Sequence, residues 1–106
     1  MNIFVLSTDV AMCARFHCDK HVVKMATEYA QLLSTAARLM GYEHDGYAST
    51  HENHPCTKWA AERMEHWAWL YELAVQIGAE YTRRYNKRHA ATDMLERLPA
   101  ELVAAA

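Results

Sequence analysis

"DKHVVKMATEYAQLLSTAARLMG" (residues 19–41) decides the fold. Val22, Met25, Tyr29, Leu32, Leu33, Ala36 and Met40 recur at three- and four-residue spacing, the mark of a helix with one buried face. Asp19 suits the cap of its first turn, and Gly41 suits the left-handed position that ends it. A helix from 19 to 40 is expected, unless it runs on continuously from the preceding segment.

Around this helix the rest falls into place. "STD" (7–9) signals a helix start, so a short helix over about 9–17 is expected. Residues 41–54 read as the one long loop, and Pro55 suits the first position of a second long helix, over about 55–86. Trp59, Trp67, Leu70, Leu73, Ala74, Ile77 and Tyr81 form its apolar stripe, and Gly78 is a candidate bend. A last helix over about 90–98 stops before Pro99, and the tail adds a turn or frays. "NIFVL" (2–6) is β-branched and aromatic and reads as one short buried strand that needs a partner. The expected fold is mainly α: a single helical domain over 1–106, with two long helices, shorter ones, and one short N-terminal strand.

Composition agrees. The chain has 106 residues, is 52% hydrophobic and 23% charged, and holds only five Gly and Pro together, which favours long helices over a many-turned β fold. Three cysteines without framework spacing read as free thiols in a reducing compartment. No apolar run reaches membrane-spanning length, and a cytoplasmic location is expected. Formal net charge is −2, whereas duplex-DNA binders are usually basic, so duplex DNA is not the expected partner.

Two clusters carry chemistry. On a helix, His17, His21, Lys24, Glu28 and Gln31 form one polar stripe beside the core stripe, with Lys20 nearby. If the helix breaks at Cys18 or Asp19, His17 leaves that stripe. "THENHPCTKW" (50–59) sets His51, Asn53, His54 and Lys58 at a helix start, where free N–H groups make an anion seat. A solvated helix edge and ordinary capping by Asn53 are the plain alternatives. Zinc is a third, since His17 and His21 are an i, i+4 pair with His51, His54, Cys18 and Cys56 in reserve, but the interleaved lysines oppose a dication. No metal or cofactor is expected. "EYTRRYNKRH" (80–89) interleaves Arg84, Lys87 and His89 with Tyr85, a pattern that stacks a base and holds its phosphate, or else a solvated helix end.

Taken together, "MNIFVLSTD", "HCDKHVVKM", "THENHPCTKW" and "EYTRRYNKRH" resemble a family of small phage-encoded proteins whose members carry the label of DNA glycosylases of the pyrimidine-dimer type. The resemblance covers about residues 1–89 and implies a phage origin and a working site at the His/Lys motifs. Gripping and bending a damaged duplex is a demanding task for a small acidic chain. The leading expectation is therefore a phage counter-defence protein that hydrolyses a phosphodiester in a cyclic (di)nucleotide immune signal without metal. His17, His21, His51 and His54 supply acid and base, with Lys24 beside them. Lys20, Asn53, Lys58, Arg84, Tyr85, Lys87 and His89 hold the ligand. One alternative is a non-catalytic sponge for a cyclic nucleotide or ADP-ribose-type signal. A second is a DNA lesion glycosylase or nuclease, and a third is a metal-binding structural module. A homodimer is expected, because the strand and Trp69 both want a partner.

Overall fold

The computed structural model describes residues 2–106. Six helices are present among them: α1 (Val10–Phe16), α2 (Asp19–Leu39), α3 (Pro55–Glu62), α4 (Met64–Tyr85), α5 (Ala90–Leu95) and α6 (Ala100–Ala105). The core lies between α2 and α4, with α1, α3, α5 and α6 packed around that pair. None of these helices is long and apolar enough to cross a membrane.

The α2 stripe is buried as its spacing requires: Val22, Tyr29, Leu33 and Ala36 have no exposure at all. Its end follows the expected chemistry. Gly41 takes φ 94°, Gly41 N–H donates to Arg38 O, and Tyr42 N–H donates to Ala37 O, which satisfies two orphan carbonyls of the last turn. Across the core, Trp67 is fully buried and its indole N–H donates to Leu33 O at 3.1 Å, tying α4 to α2. Asp9 caps α1 by accepting from Met12 N–H at 3.0 Å.

Three local expectations are corrected. The second long helix breaks at Arg63, which is extended (φ −146°, ψ 147°), and so becomes α3 and α4. The break lets Trp59 and His66, a helical heptad apart, meet face to face at 4.2 Å between ring centres. His66 Nδ1–H then donates to Trp59 O, an orphan carbonyl at the end of α3. At the other end, α5 stops at Leu95 and the tail forms α6, which buries Leu102.

The third correction is the strand. Among the described residues there is none; residues 2–7 are extended but pair with no ladder. Side chains replace the missing strand partner. Phe4 N–H donates to Tyr29 Oη at 3.1 Å, and the Cys13 thiol donates to Phe4 O at 3.1 Å. Trp69 reaches the same segment from α4 through its indole N–H to Thr8 O at 3.3 Å. Val5 and Leu6 remain 60% and 46% exposed, so the segment is pinned rather than buried.

His17, the C-cap of α1, completes the pin. It is 2% exposed, with Nδ1 2.7 Å from Cys13 O and Nε2 2.8 Å from Tyr29 Oη. A carbonyl only accepts, so Nδ1 carries the proton and Nε2 accepts from the tyrosine hydroxyl. Burial is the largest influence on His17 and lowers its pKa from the ordinary 6.5, while the backbone bond to Cys13 opposes. The folded state therefore favours neutral imidazole. This contribution to stability is fully present above the unfolded value and is lost as pH falls through the lowered folded one. Melting temperature should drop as pH falls below 6.5, and the drop should be shallower in His17→Gln, which does not titrate. Equal slopes in differential scanning calorimetry would reject this.

Gly78 sits inside an unbroken α4, where its role is close approach to α5. A Cβ there would lie 2.7 Å from Thr92 Oγ1. Gly78→Ala should therefore destabilise by about 1–3 kcal/mol despite better helix propensity. Adding Thr92→Ala should recover most of the loss in denaturant titration.

Candidate functional site

The helix break at His17–Cys18 separates the two histidines of the first cluster. His17 turns into the core, where both ring nitrogens are engaged. His21, in the first turn of α2, stays half-buried at the surface. It is the one histidine whose ring makes no hydrogen bond among the described residues. It stacks on Phe4 instead, at 4.4 Å between ring centres and 11° between planes.

His21, Lys24, Met25 and Glu28 of α2 face Asn2 and Phe4 across a polar recess of about 80 Å³. Glu28 Oε2 is buried there without a hydrogen bond, and its nearest cation is Lys24 Nζ at 3.9 Å. A buried carboxylate oxygen without a donor is costly, and such exceptions concentrate where a ligand or reacting group supplies the partner. Glu28 lies on the polar stripe, but spacing alone shows neither its burial nor its lack of a donor. Its i, i+4 and i, i+7 spacing to Lys24 and His21 was the available signal.

The extended segment forms a wall with two faces. Asn2 and Phe4 line the polar recess, whereas Ile3 and Val5 line an apolar cleft with Pro55, Cys56 and Trp59 on the far side. This is the period-two alternation of extended backbone.

The second cluster does not join the first. His54 caps α3, its Nδ1 accepting from Cys56 N–H at 3.1 Å. His51 has left-handed backbone (φ 53°) and its Nδ1 is 2.9 Å from Thr50 Oγ1. Neither lines the recess at His21. Asn53 and Lys58 are exposed beside them. No group of three or more His, Cys, Asp or Glu with the geometry to hold a metal occurs among the described residues.

The third cluster meets α2 at its N-terminal end. Arg84 donates to Glu80 and Asp19, each at 2.9 Å, and to Arg15 O at 3.1 Å, so it joins α4 to the α1–α2 junction. Its hydrogen bonds and those of Arg83 hold the Glu80 carboxyl below the usual range, Arg83 being the larger influence. His89 caps α5 through Nδ1 and donates from Nε2 to Val23 O at 3.1 Å. Lys20, Lys87 and Tyr85 are exposed on this side, Tyr85 packing against Tyr81 at 5.0 Å.

Charge is divided accordingly. Residues 15–28 and 80–87 hold six Lys and Arg against three Asp and Glu, a net +3, while the rest of the chain holds five against ten, a net −5.

No curated protein and no solved structure matches the chain. A family model does: pyrimidine dimer DNA glycosylase, over residues 1–93, a span that contains every candidate residue named above. The match overturns the expectation of a cyclic-nucleotide hydrolase or sponge, and agrees with the lesion-glycosylase alternative and with an enzymatic role. By its sequence the chain belongs to the pyrimidine dimer DNA glycosylase family.

Proposed function

We propose that the chain excises a damaged pyrimidine from DNA by breaking its N-glycosidic bond at the recess formed by Asn2, Phe4, His21, Lys24 and Glu28. The observation that carries this reading is the buried, undonated Oε2 of Glu28 beside Lys24. Breaking a glycosidic bond develops positive charge on the sugar, and a carboxylate held without a competing donor stabilises that charge. A recess of about 80 Å³ admits one edge of a deoxyribose, not a pair of fused bases. The lesion bases then lie outside it, and the sugar comes to Glu28.

The step has three parts. The nucleophile forms a bond to C1′ and gives its proton to Glu28 Oε2, whose carboxylate faces the developing charge of the sugar until that transfer. The bond between C1′ and the base nitrogen breaks. The leaving pyrimidine takes its proton from His21, whose ring nitrogens are uncommitted. The Lys24 ammonium lies 3.9 Å from Glu28 Oε2 and meets the adjoining phosphate. Lys24 also places a primary amine in the recess, and borohydride reduction during turnover distinguishes an amine nucleophile, which leaves a covalent DNA adduct, from water, which leaves none.

Net charge had argued against a DNA partner, and its distribution reverses that argument. The net +3 region takes in the N-terminal half of α2, which carries the recess residues His21, Lys24 and Glu28, and includes exposed Lys20 and Lys87. Phosphate contacts depend on local cations, not on the sum over the chain.

Glu28→Gln should lower excision from ultraviolet-irradiated duplex DNA by roughly 10²–10³-fold while DNA affinity stays near wild type. Single-turnover rates at the wild-type level would sink the assignment. Lys20→Ala and Lys87→Ala should each weaken binding to damaged and intact duplex alike and reduce the salt slope of affinity by about one. An unchanged slope would remove these residues from the DNA path.

A further inference from the structure

His21 has no hydrogen bond to fix its ring, so its orientation rests on the stack with Phe4. Phe4, in turn, sits on a segment with no strand partner. Its backbone is held at both ends by side chains from elsewhere, its N–H by Tyr29 Oη and its carbonyl by the Cys13 thiol. Cys13 and Tyr29 are fully buried, so water offers these groups no substitute. His17 fixes the Tyr29 hydroxyl by accepting its proton at Nε2.

We infer that Tyr29 and His17 are positioning residues for the reaction: through Phe4 they set the His21 ring and the wall of the recess against Glu28. The inference rests on the recess being the reacting site. The tyrosine hydroxyl has one donor and must aim it at His17, which leaves its oxygen lone pairs for Phe4 N–H. Removing that hydroxyl frees the Phe4 amide. Phe4 then loses one of its two backbone hydrogen bonds, and the aromatic stack loses its register.

The test compares Tyr29→Phe, Phe4→Leu, His17→Gln and His17→Asn with the wild type. Tyr29→Phe keeps the buried ring and deletes only the hydroxyl. Phe4→Leu keeps the backbone bonds and deletes the stack. Gln at position 17 can place an oxygen where Nε2 accepts, whereas Asn is too short to reach it. The readouts are the single-turnover excision rate, the dissociation constant for lesion DNA, and the His21 imidazole proton resonances, which feel the ring current of Phe4.

Tyr29→Phe and Phe4→Leu should each slow excision roughly tenfold to a hundredfold, since a misplacement of about 1 Å carries a cost of that order, with binding changed less than about twofold. Both should move the His21 resonances downfield, away from their ring-shifted position. His17→Gln should retain more activity than His17→Asn. The inference is overturned if the His21 resonances of Tyr29→Phe stay in place, or if excision falls only in step with the folded fraction. The resonance test needs no turnover. A wild type inactive on dimers with shifted His21 signals would therefore reject the glycosylase reading and leave the positioning contact standing. An active wild type with an unaffected Tyr29→Phe would do the reverse.

Discussion

The Tyr29 hydroxyl lies out of water and has to be satisfied by protein groups alone. Three parts of the chain meet to do so: His17 at the end of α1, Tyr29 itself on α2, and Phe4 on the extended segment. A single helix pair would leave that segment loose, since it forms no ladder and exposes half its apolar residues. The desolvation cost of an unpaired buried hydroxyl, about 1–3 kcal/mol, is what holds the arrangement together. The turn between α1 and α2 follows from it, because His17 reaches Tyr29 only when the chain breaks at Cys18.

That break separates two histidines that spacing alone places side by side. One becomes structural and the other is left uncommitted beside a carboxylate. The chain holds seven histidines, and three of them, His44, His54 and His89, use Nδ1 to accept a backbone N–H two residues ahead. Three of the seven histidines thus serve as turn and cap acceptors, a task more often given to Asn, Asp or Ser. This leaves His21, Lys24 and Glu28 as the compact polar set.

Much of the architecture was legible because it is local. The α2 stripe, its stop at Gly41, a cap within "STD" (7–9) and the Pro55 start are each written within a few residues. The break at Arg63 was not. "AAERMEH" (60–66) is good helix-forming sequence, and the break within it comes with a stack of Trp59 on His66 that local spacing does not show. The strand was misread for a similar reason, since its backbone partners are side chains far away in sequence. For the site, Lys24 and His21 were in view and Glu28 stood one turn on, but a role for it depends on burial that spacing cannot supply. The family label that the resemblance carries is the one the family model gives, and net charge was a poor reason to set it aside: a sum over the chain contains no information on where the charges lie.

The division of charge has a further consequence for motion. α4 is 22 residues long, about 33 Å from end to end. Arg83, Arg84 and Lys87 outnumber Glu80 at its C-terminal end, while Glu62, Glu65 and Glu72 outnumber Arg63 at or near its N-terminal half. The molecule is therefore an electric dipole whose net charge almost conceals it. Near a polyanion it experiences a torque before it experiences much net force. Rotation is far faster than approach, so it arrives already turned, with the C-terminal end of α4 leading and the acidic end trailing. Added salt screens that torque at long range first, and productive encounters become rarer before any contact in the bound state has weakened.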